Sequence, residues 1–158
     1  MILVSSCLLG LDTKYNGTSN CNDLLLKYSH LEKYIPICPE QLGGLPTPRE
    51  AAEIKAGTGE DVIKGHAKVI TVKGEDCTYY FVKGAKEVLK LAKMLPVSAA
   101  ILKEKSPSCG CNEIYDGTFA NSLIRGAGVT AELLRQNGIR VYSENEVTDK
   151  LLQSLLCL

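Results

Sequence analysis

Met1-Ile2-Leu3-Val4-Ser5-Ser6-Cys7-Leu8-Leu9-Gly10 opens the chain. Ile2-Leu3-Val4 is apolar without alternation, the pattern of a strand buried on both faces, as in a parallel sheet covered by helices. Read as a strand over residues 2 to 6, it delivers Cys7 to its carboxyl end and turns at Gly10. The arrangement recurs twice. Cys38 follows Tyr34-Ile35-Pro36-Ile37, and Cys109 comes a few residues after Ala99-Ala100-Ile101-Leu102. If the three segments are parallel strands, their carboxyl ends line one sheet edge, where open α/β proteins build ligand crevices. Three thiols distant in sequence then converge.

The intervening chain supplies the helices. Asn20 or Asn22 can cap a helix near residues 23 to 33, where Leu24, Leu25, Tyr28 and Leu31 form an apolar face. A second strand follows over 34 to 38. Residues 38 to 49 carry three prolines and two glycines and predict a shaped loop without helix. Val62, Val69 and Ile70, with Gly65 and Gly74 as turn points, predict a hairpin or excursion over 61 to 75. Phe81, Ala85, Val88, Ala92 and Leu95 fall at helical spacing up to Pro96. Residues 97 to 102 form a third strand, and 120 to 137 a helix ended by a left-handed Gly138. Ile139 to Tyr142 is the fourth strand, and Ser143 with Glu146 is spaced as a capping box for a last helix through Leu155. This alternation predicts an α/β fold, a single domain over 1–158 with a mainly parallel Rossmann-like sheet flanked by helices.

Composition narrows the function classes. The 158 residues fit one domain. Lys plus Arg and Asp plus Glu balance at 18 each, so no net field favours nucleic acid or an anionic membrane. The first residues have no cationic start and no apolar stretch of secretory length, and no segment reaches the ~18 apolar residues of a membrane helix. A cytoplasmic protein is expected, of a size that permits a homodimer without requiring one. Seven cysteines cannot all pair within one chain, and in a reducing compartment they point to metal binding or catalysis. Cys157, in Leu155-Leu156-Cys157-Leu158, reads as a small buried hydrophobe. Cys77 reads as packing or loop, and Cys21 lies in a polar stretch that can approach the crevice but reads first as a solvated loop.

Three thiolates at one crevice suit a soft metal or an iron-sulfur cluster with one position left open. Zinc also takes thiolates, but only Cys109-Gly110-Cys111 is a close pair, and neither His30 nor His66 stands at a recognised ligand spacing. Packing of small polarizable side chains at strand ends is the alternative. Gly10, Pro39, Pro107 and Gly110 shape the backbone around the thiols, as a site needing close approach requires. Glu40, two residues after Cys38, can hold or deliver a proton in the crevice or lie solvated in its loop. Ser106 and Ser108 flank Pro107 and can orient a polar substrate or bond only to backbone. Arg49 can bind a carbonyl or carboxylate by its planar fork or pair with Glu50 or Glu53 at the surface, and surface pairing is the default reading. Gly126-Ala127-Gly128 lacks the dinucleotide fingerprint and reads as a site of close helix packing. Tyr115-Asp116-Gly117-Thr118-Phe119 reads as a turn.

Taken together, Ser6-Cys7-Leu8-Leu9-Gly10, Cys38-Pro39-Glu40, Gly43-Gly44-Leu45-Pro46-Thr47-Pro48-Arg49, Ser106-Pro107-Ser108-Cys109-Gly110 and Tyr115-Asp116-Gly117-Thr118-Phe119 resemble, in order and over essentially the whole chain, the bacterial thiouracil desulfidase family. The resemblance implies a [4Fe-4S] cluster held by Cys7, Cys38 and Cys109, with the substrate's sulfur binding the open iron. It implies Glu40 as acid/base residue, assisted by Ser106 or Ser108, in a non-redox conversion of thiouracil to uracil and hydrogen sulfide. The partner is then a small thiopyrimidine, with no nucleic acid and no membrane. Cys111 complicates the picture, because a fourth thiolate would close the open iron. A zinc- or persulfide-binding module that cleaves no C–S bond is the competing reading.

Overall fold

A computed structural model describes all of residues 1–158. In chain order the elements are β1 (Ile2–Ser5), α1 (Asp23–Lys27), β2 (Tyr34–Ile37), α2 (Pro39–Gly43), β3 (Ala52–Lys55), α3 (Gly59–Ile63), β4 (Lys68–Thr71), α4 (Thr78–Met94), β5 (Ala99–Leu102), β6 (Glu113–Tyr115), β7 (Leu123–Arg125), α5 (Val129–Gln136), β8 (Arg140–Ser143) and α6 (Asp149–Leu156). The expected α/β architecture is present. Four strands form one parallel sheet in the order β2-β1-β5-β8, with Leu3 beside Ile35 and Ala100, and Ala100 beside Val141. Pro36 lacks the N–H that a central strand needs, which is compatible with β2 lying at the edge.

Successive side chains on a strand point to opposite faces, and here both faces are covered. Leu3, Ala100 and Leu102 pack with Val88 and Ala92 of α4 and with Ala131 and Leu134 of α5. Ile2, Val4 and Ile101 pack on the other side with Leu25 of α1 and Leu152, Leu155 and Leu156 of α6. A third apolar cluster lies outside the sheet, where Ile54, Val62 and Val69 meet Phe81, Ile114 and Val129. The chain leaves β1 toward β2 and leaves β5 toward β8, in opposite directions along the sheet. Between the carboxyl ends of β1 and β5 it therefore opens a crevice.

Several sequence expectations are corrected. The helix over 120–137 is confined to α5, and Leu123–Arg125 pairs antiparallel with Glu113–Tyr115. The glycines between them admit a close approach, but of loops: a Cβ on Gly128 would stand 2.5 Å from the Ser108 carbonyl carbon, and one on Gly126 2.6 Å from Thr58 Cγ2. The helix near 23–33 is only α1 plus a 3-10 turn over Ser29–Leu31. Residues 38–49 do contain a helix, α2, because Pro39 occupies its first turn, where a missing N–H costs nothing. The excursion begins earlier than expected and is the antiparallel pair β3 and β4 with α3 between them. The Ser143 and Glu146 capping box forms, but it caps a 3-10 turn, and Thr148 caps α6. Cys157 is exposed, not buried, in a left-handed conformation just past α6. No helix is long and apolar enough to cross a membrane.

Candidate active site at the carboxyl edge of the sheet

A cleft of about 990 Å³ opens at this edge, and Cys7, Cys38, Cys109, Glu40 and Ser106 all line it. Three different connections bring them there. Cys7 sits in the 3-10 turn Ser6–Leu9 that follows β1, and Asn20 donates its backbone N–H to the Cys7 carbonyl at 2.9 Å. Cys38 joins β2 to α2, with Sγ 3.8 Å from the Thr13 carbonyl and 3.7 Å from Glu40 Oε2. Cys109 lies in the loop after β5.

That last loop is clamped to the start of α5. Val129 and Thr130 donate their N–H groups to the carbonyls of Pro107 and Ser108 at 2.9 Å each, filling positions that the first turn of a helix leaves open. Ser108 is fully buried, and its hydroxyl pairs with that of Thr130 at 2.8 Å, so it does not line the cleft. Ser106 does. Its Oγ accepts N–H groups from Ser108 at 3.1 Å and Cys109 at 3.0 Å. With its oxygen so engaged, the Ser106 hydroxyl proton is left to donate elsewhere.

Glu40 is carried on α2, and α2 lies backbone to backbone on α4. A Cβ on Gly43 would stand 2.1 Å from the Tyr80 carbonyl oxygen, and one on Gly84 2.0 Å from that of Pro39. Only glycine permits that approach, and it fixes the height of Pro39-Glu40 above the sheet. Arg49 does not pair with Glu50 or Glu53 at the surface. Its Nη2 meets Glu40 Oε2 at 2.8 Å and the Thr13 carbonyl at 3.0 Å, while Nη1 meets Thr47 Oγ1 at 2.9 Å. Glu50 pairs with Lys73 instead. Glu40 is likewise no solvated glutamate: its side chain is 12% exposed, and Oε1 is buried without a hydrogen-bond partner.

Sequence reasoning did not single out Glu104. Buried beneath the Cys109 loop, it accepts N–H groups from Cys111 at 2.7 Å and Asn112 at 2.9 Å. Burial alone would raise its carboxyl, but the N–H groups of Asn112, Glu113 and Cys111 outweigh that and hold it below the usual value. The only signal was its place two residues past β5. Cys111 is buried with Sγ turned to the Cys109 carbonyl at 3.4 Å and does not line the cleft, so it adds no thiol to that of Cys109 there. Cys21 is exposed and also lies off the lining, whereas Cys77 lines the cleft and turns its thiol to the Val69 carbonyl.

The donor set fits an iron-sulfur cluster. Burial, and after it the charge of Glu40, push the Cys38 thiol up to about 11 and Cys109 well above its ordinary value; burial also raises Cys7. Thiolates so placed need a cationic centre to hold them ionised. No three Cys, His, Asp or Glu side chains close on one point as a single ion requires. Sulfurs around one tetrahedral zinc stand roughly 3.8 Å apart, given Zn–S near 2.3 Å. Cys7, Cys38 and Cys109 line one cleft without closing on a single point, and a cluster, whose irons are held by separate thiolates, would take such a set.

A family model described as 2-thiouracil desulfurase matches residues 2–146. The chain belongs to that family. YbbK of Bacillus subtilis (strain 168), an uncharacterized protein, is 53% identical over 151 residues, covering 96% of this chain and all of YbbK. The solved structure of the [4Fe-4S]-dependent thiouracil desulfidase TudS superposes with a TM-score of 0.85 at 38% identity, covering 99% of this chain and 98% of TudS. This chain and TudS thus share one α/β fold along essentially their whole length, as the alternation of strands and helices predicts.

Proposed function

We propose that residues 1–158 act as one cytoplasmic, [4Fe-4S]-dependent desulfidase unit that hydrolyses a thiolated pyrimidine, converting thiouracil and water to uracil and hydrogen sulfide. The observation that carries this reading is the convergence of Cys7, Cys38 and Cys109 on one cleft beside a buried carboxylate with a bare oxygen. The balanced charge supports a small-molecule substrate over RNA, whose phosphates call for an excess of Lys and Arg.

Cys7, Cys38 and Cys109 would hold the cluster. When bound through three thiolates, it supplies one open iron, a Lewis acid with affinity for sulfur. Glu40 does the proton work. Its Oε2 is held by Arg49, so Oε1 is the atom that takes a proton from the water attacking the thiolated carbon. The same oxygen returns that proton to the departing sulfur. Ser106 donates its hydroxyl proton to the ring's polar edge, and Arg49 keeps the carboxylate aimed.

Iron and acid-labile sulfide per chain after anaerobic preparation, on wild type and on Cys7→Ala, Cys38→Ala and Cys109→Ala, test the reading. Roughly four of each in wild type, lost in all three variants, with sulfide released from 2-thiouracil, is the expected result. Stoichiometric zinc in a colourless protein that releases no sulfide would replace it with a sulfur-handling module.

A further inference from the structure

Tyr115-Asp116-Gly117-Thr118-Phe119 forms the turn of the β6–β7 hairpin, with Asp116 accepting the Thr118 N–H at 3.0 Å. Nothing in the proton chemistry above uses it. Phe119 nevertheless has a backbone φ of +56°, a left-handed conformation that a bulky aromatic residue rarely adopts. A single carboxylate oxygen enforces it. Glu53 Oε2, on β3, accepts the N–H of Phe119 at 3.0 Å and that of Gly117 at 2.9 Å. Gly117 presses so closely on β3 that a Cβ there would stand 2.6 Å from the Ile54 carbonyl oxygen. Glu53 itself is only 8% exposed.

The side chain so displayed joins none of the three apolar clusters of the fold, and it is not among the exposed large hydrophobic side chains. It lines the cleft, together with Tyr115 from the same hairpin. A strained backbone held by a buried carboxylate in order to present an aromatic ring to a cleft is not explained by core packing. A flat heterocycle bound in that cleft explains it, because ring-on-ring stacking favours a planar substrate regardless of its hydrogen-bonding edge.

We propose that Phe119 is the stacking wall for the substrate's pyrimidine ring, and that Glu53 is the positioning residue that holds it there. The inference rests on the desulfidase reading and adds the residue that selects a planar ring. Uracil is the probe that isolates it from the sulfur, since uracil keeps the ring and its polar edge but has no sulfur to bind. Calorimetric titration of anaerobically prepared protein should show Phe119→Ala weakening uracil about tenfold, in keeping with base–aromatic stacking, and Phe119→Tyr within about twofold of wild type. With 2-thiouracil, Phe119→Ala should raise KM by a similar factor while kcat and iron per chain stay near wild type. Glu53→Ala should copy that effect and Glu53→Gln, which keeps an acceptor oxygen, should largely restore binding. The double variant Phe119→Ala, Glu53→Ala should be no weaker than Phe119→Ala alone, because both act through one ring. Unchanged uracil affinity and KM in an active, iron-replete Phe119→Ala protein overturns this inference and leaves the desulfidase reading standing. Wild-type protein that binds neither ring and releases no sulfide overturns both.

Discussion

Arg49 holds one oxygen of Glu40 and leaves the other bare: Nη2 lies 2.8 Å from Oε2, while the buried Oε1 has no partner. Both side chains are nearly enclosed, at 8% and 12% exposure. Removing Arg49 therefore strands a charge. Arg49→Met should cost roughly 3–5 kcal/mol of stability, the usual penalty for halving a buried ion pair. Adding Glu40→Gln should recover much of that loss. Urea denaturation of the two single variants and the double variant measures the coupling, and additive losses would contradict it.

Glu40→Gln alone keeps the size and one acceptor oxygen but gives up the base. Iron and sulfide per chain should stay near wild type, and sulfide release from 2-thiouracil should fall about 10²-fold or more, the range of a lost general base. Retained turnover would remove Glu40 from the chemistry.

Gly84 does not itself line the cleft yet sets its geometry. A Cβ there would stand 2.0 Å from the Pro39 carbonyl oxygen, and the neighbour is backbone, which cannot swing aside. Gly84→Ala should push α2 off α4, lowering stability by roughly 1–3 kcal/mol and displacing Cys38 and Glu40 together. Denaturation midpoints and iron per chain should fall in parallel.

Glu104 gives the fold a pH dependence of definite sign. Its carboxyl is held below the ordinary value of 4.5 in the folded chain, because backbone N–H groups outweigh burial. The stability it contributes is therefore present above that value and lost as pH falls through the lower, folded one. Stability of wild type followed from pH 7 down to 3 should fall more steeply than that of Glu104→Gln, which has no proton to take up. Parallel curves would show that Glu104 has no such role.

Cys111 separates proximity in sequence from proximity in space. Its sulfur faces the Cys109 carbonyl and lies off the cleft. Cys111→Ala should leave iron per chain unchanged and cost about 1 kcal/mol of packing, whereas Cys109→Ala, two residues away, should abolish iron binding.

The sequence by itself determined the parallel sheet and the arrival of Cys7, Cys38 and Cys109 at its carboxyl edge. Unbroken apolar runs such as Ile2-Leu3-Val4 and Ala99-Ala100-Ile101-Leu102 are legible because a strand buried on both faces leaves no polar position, and each reaches a cysteine loop at the same end. What it left open were the relations that depend on approach across the fold. Gly126 and Gly128 sit within an otherwise helix-like stretch, and only their contacts with Thr58 and Ser108 show why the chain is extended there. Arg49 has Glu50 beside it and Glu53 four residues on, so local pairing was the reading that sequence supports. The structure turns it to Glu40 because burial removes the competing water and adds the Thr13 carbonyl and Thr47 hydroxyl as further acceptors. Ser106 and Ser108 differ only in that one faces the cleft and the other meets Thr130, and Phe119 is an ordinary turn residue until Glu53 is seen beneath it. Local patterns follow from the periodicity of one segment. Which polar groups face each other is decided only when segments far apart in the chain exclude water together.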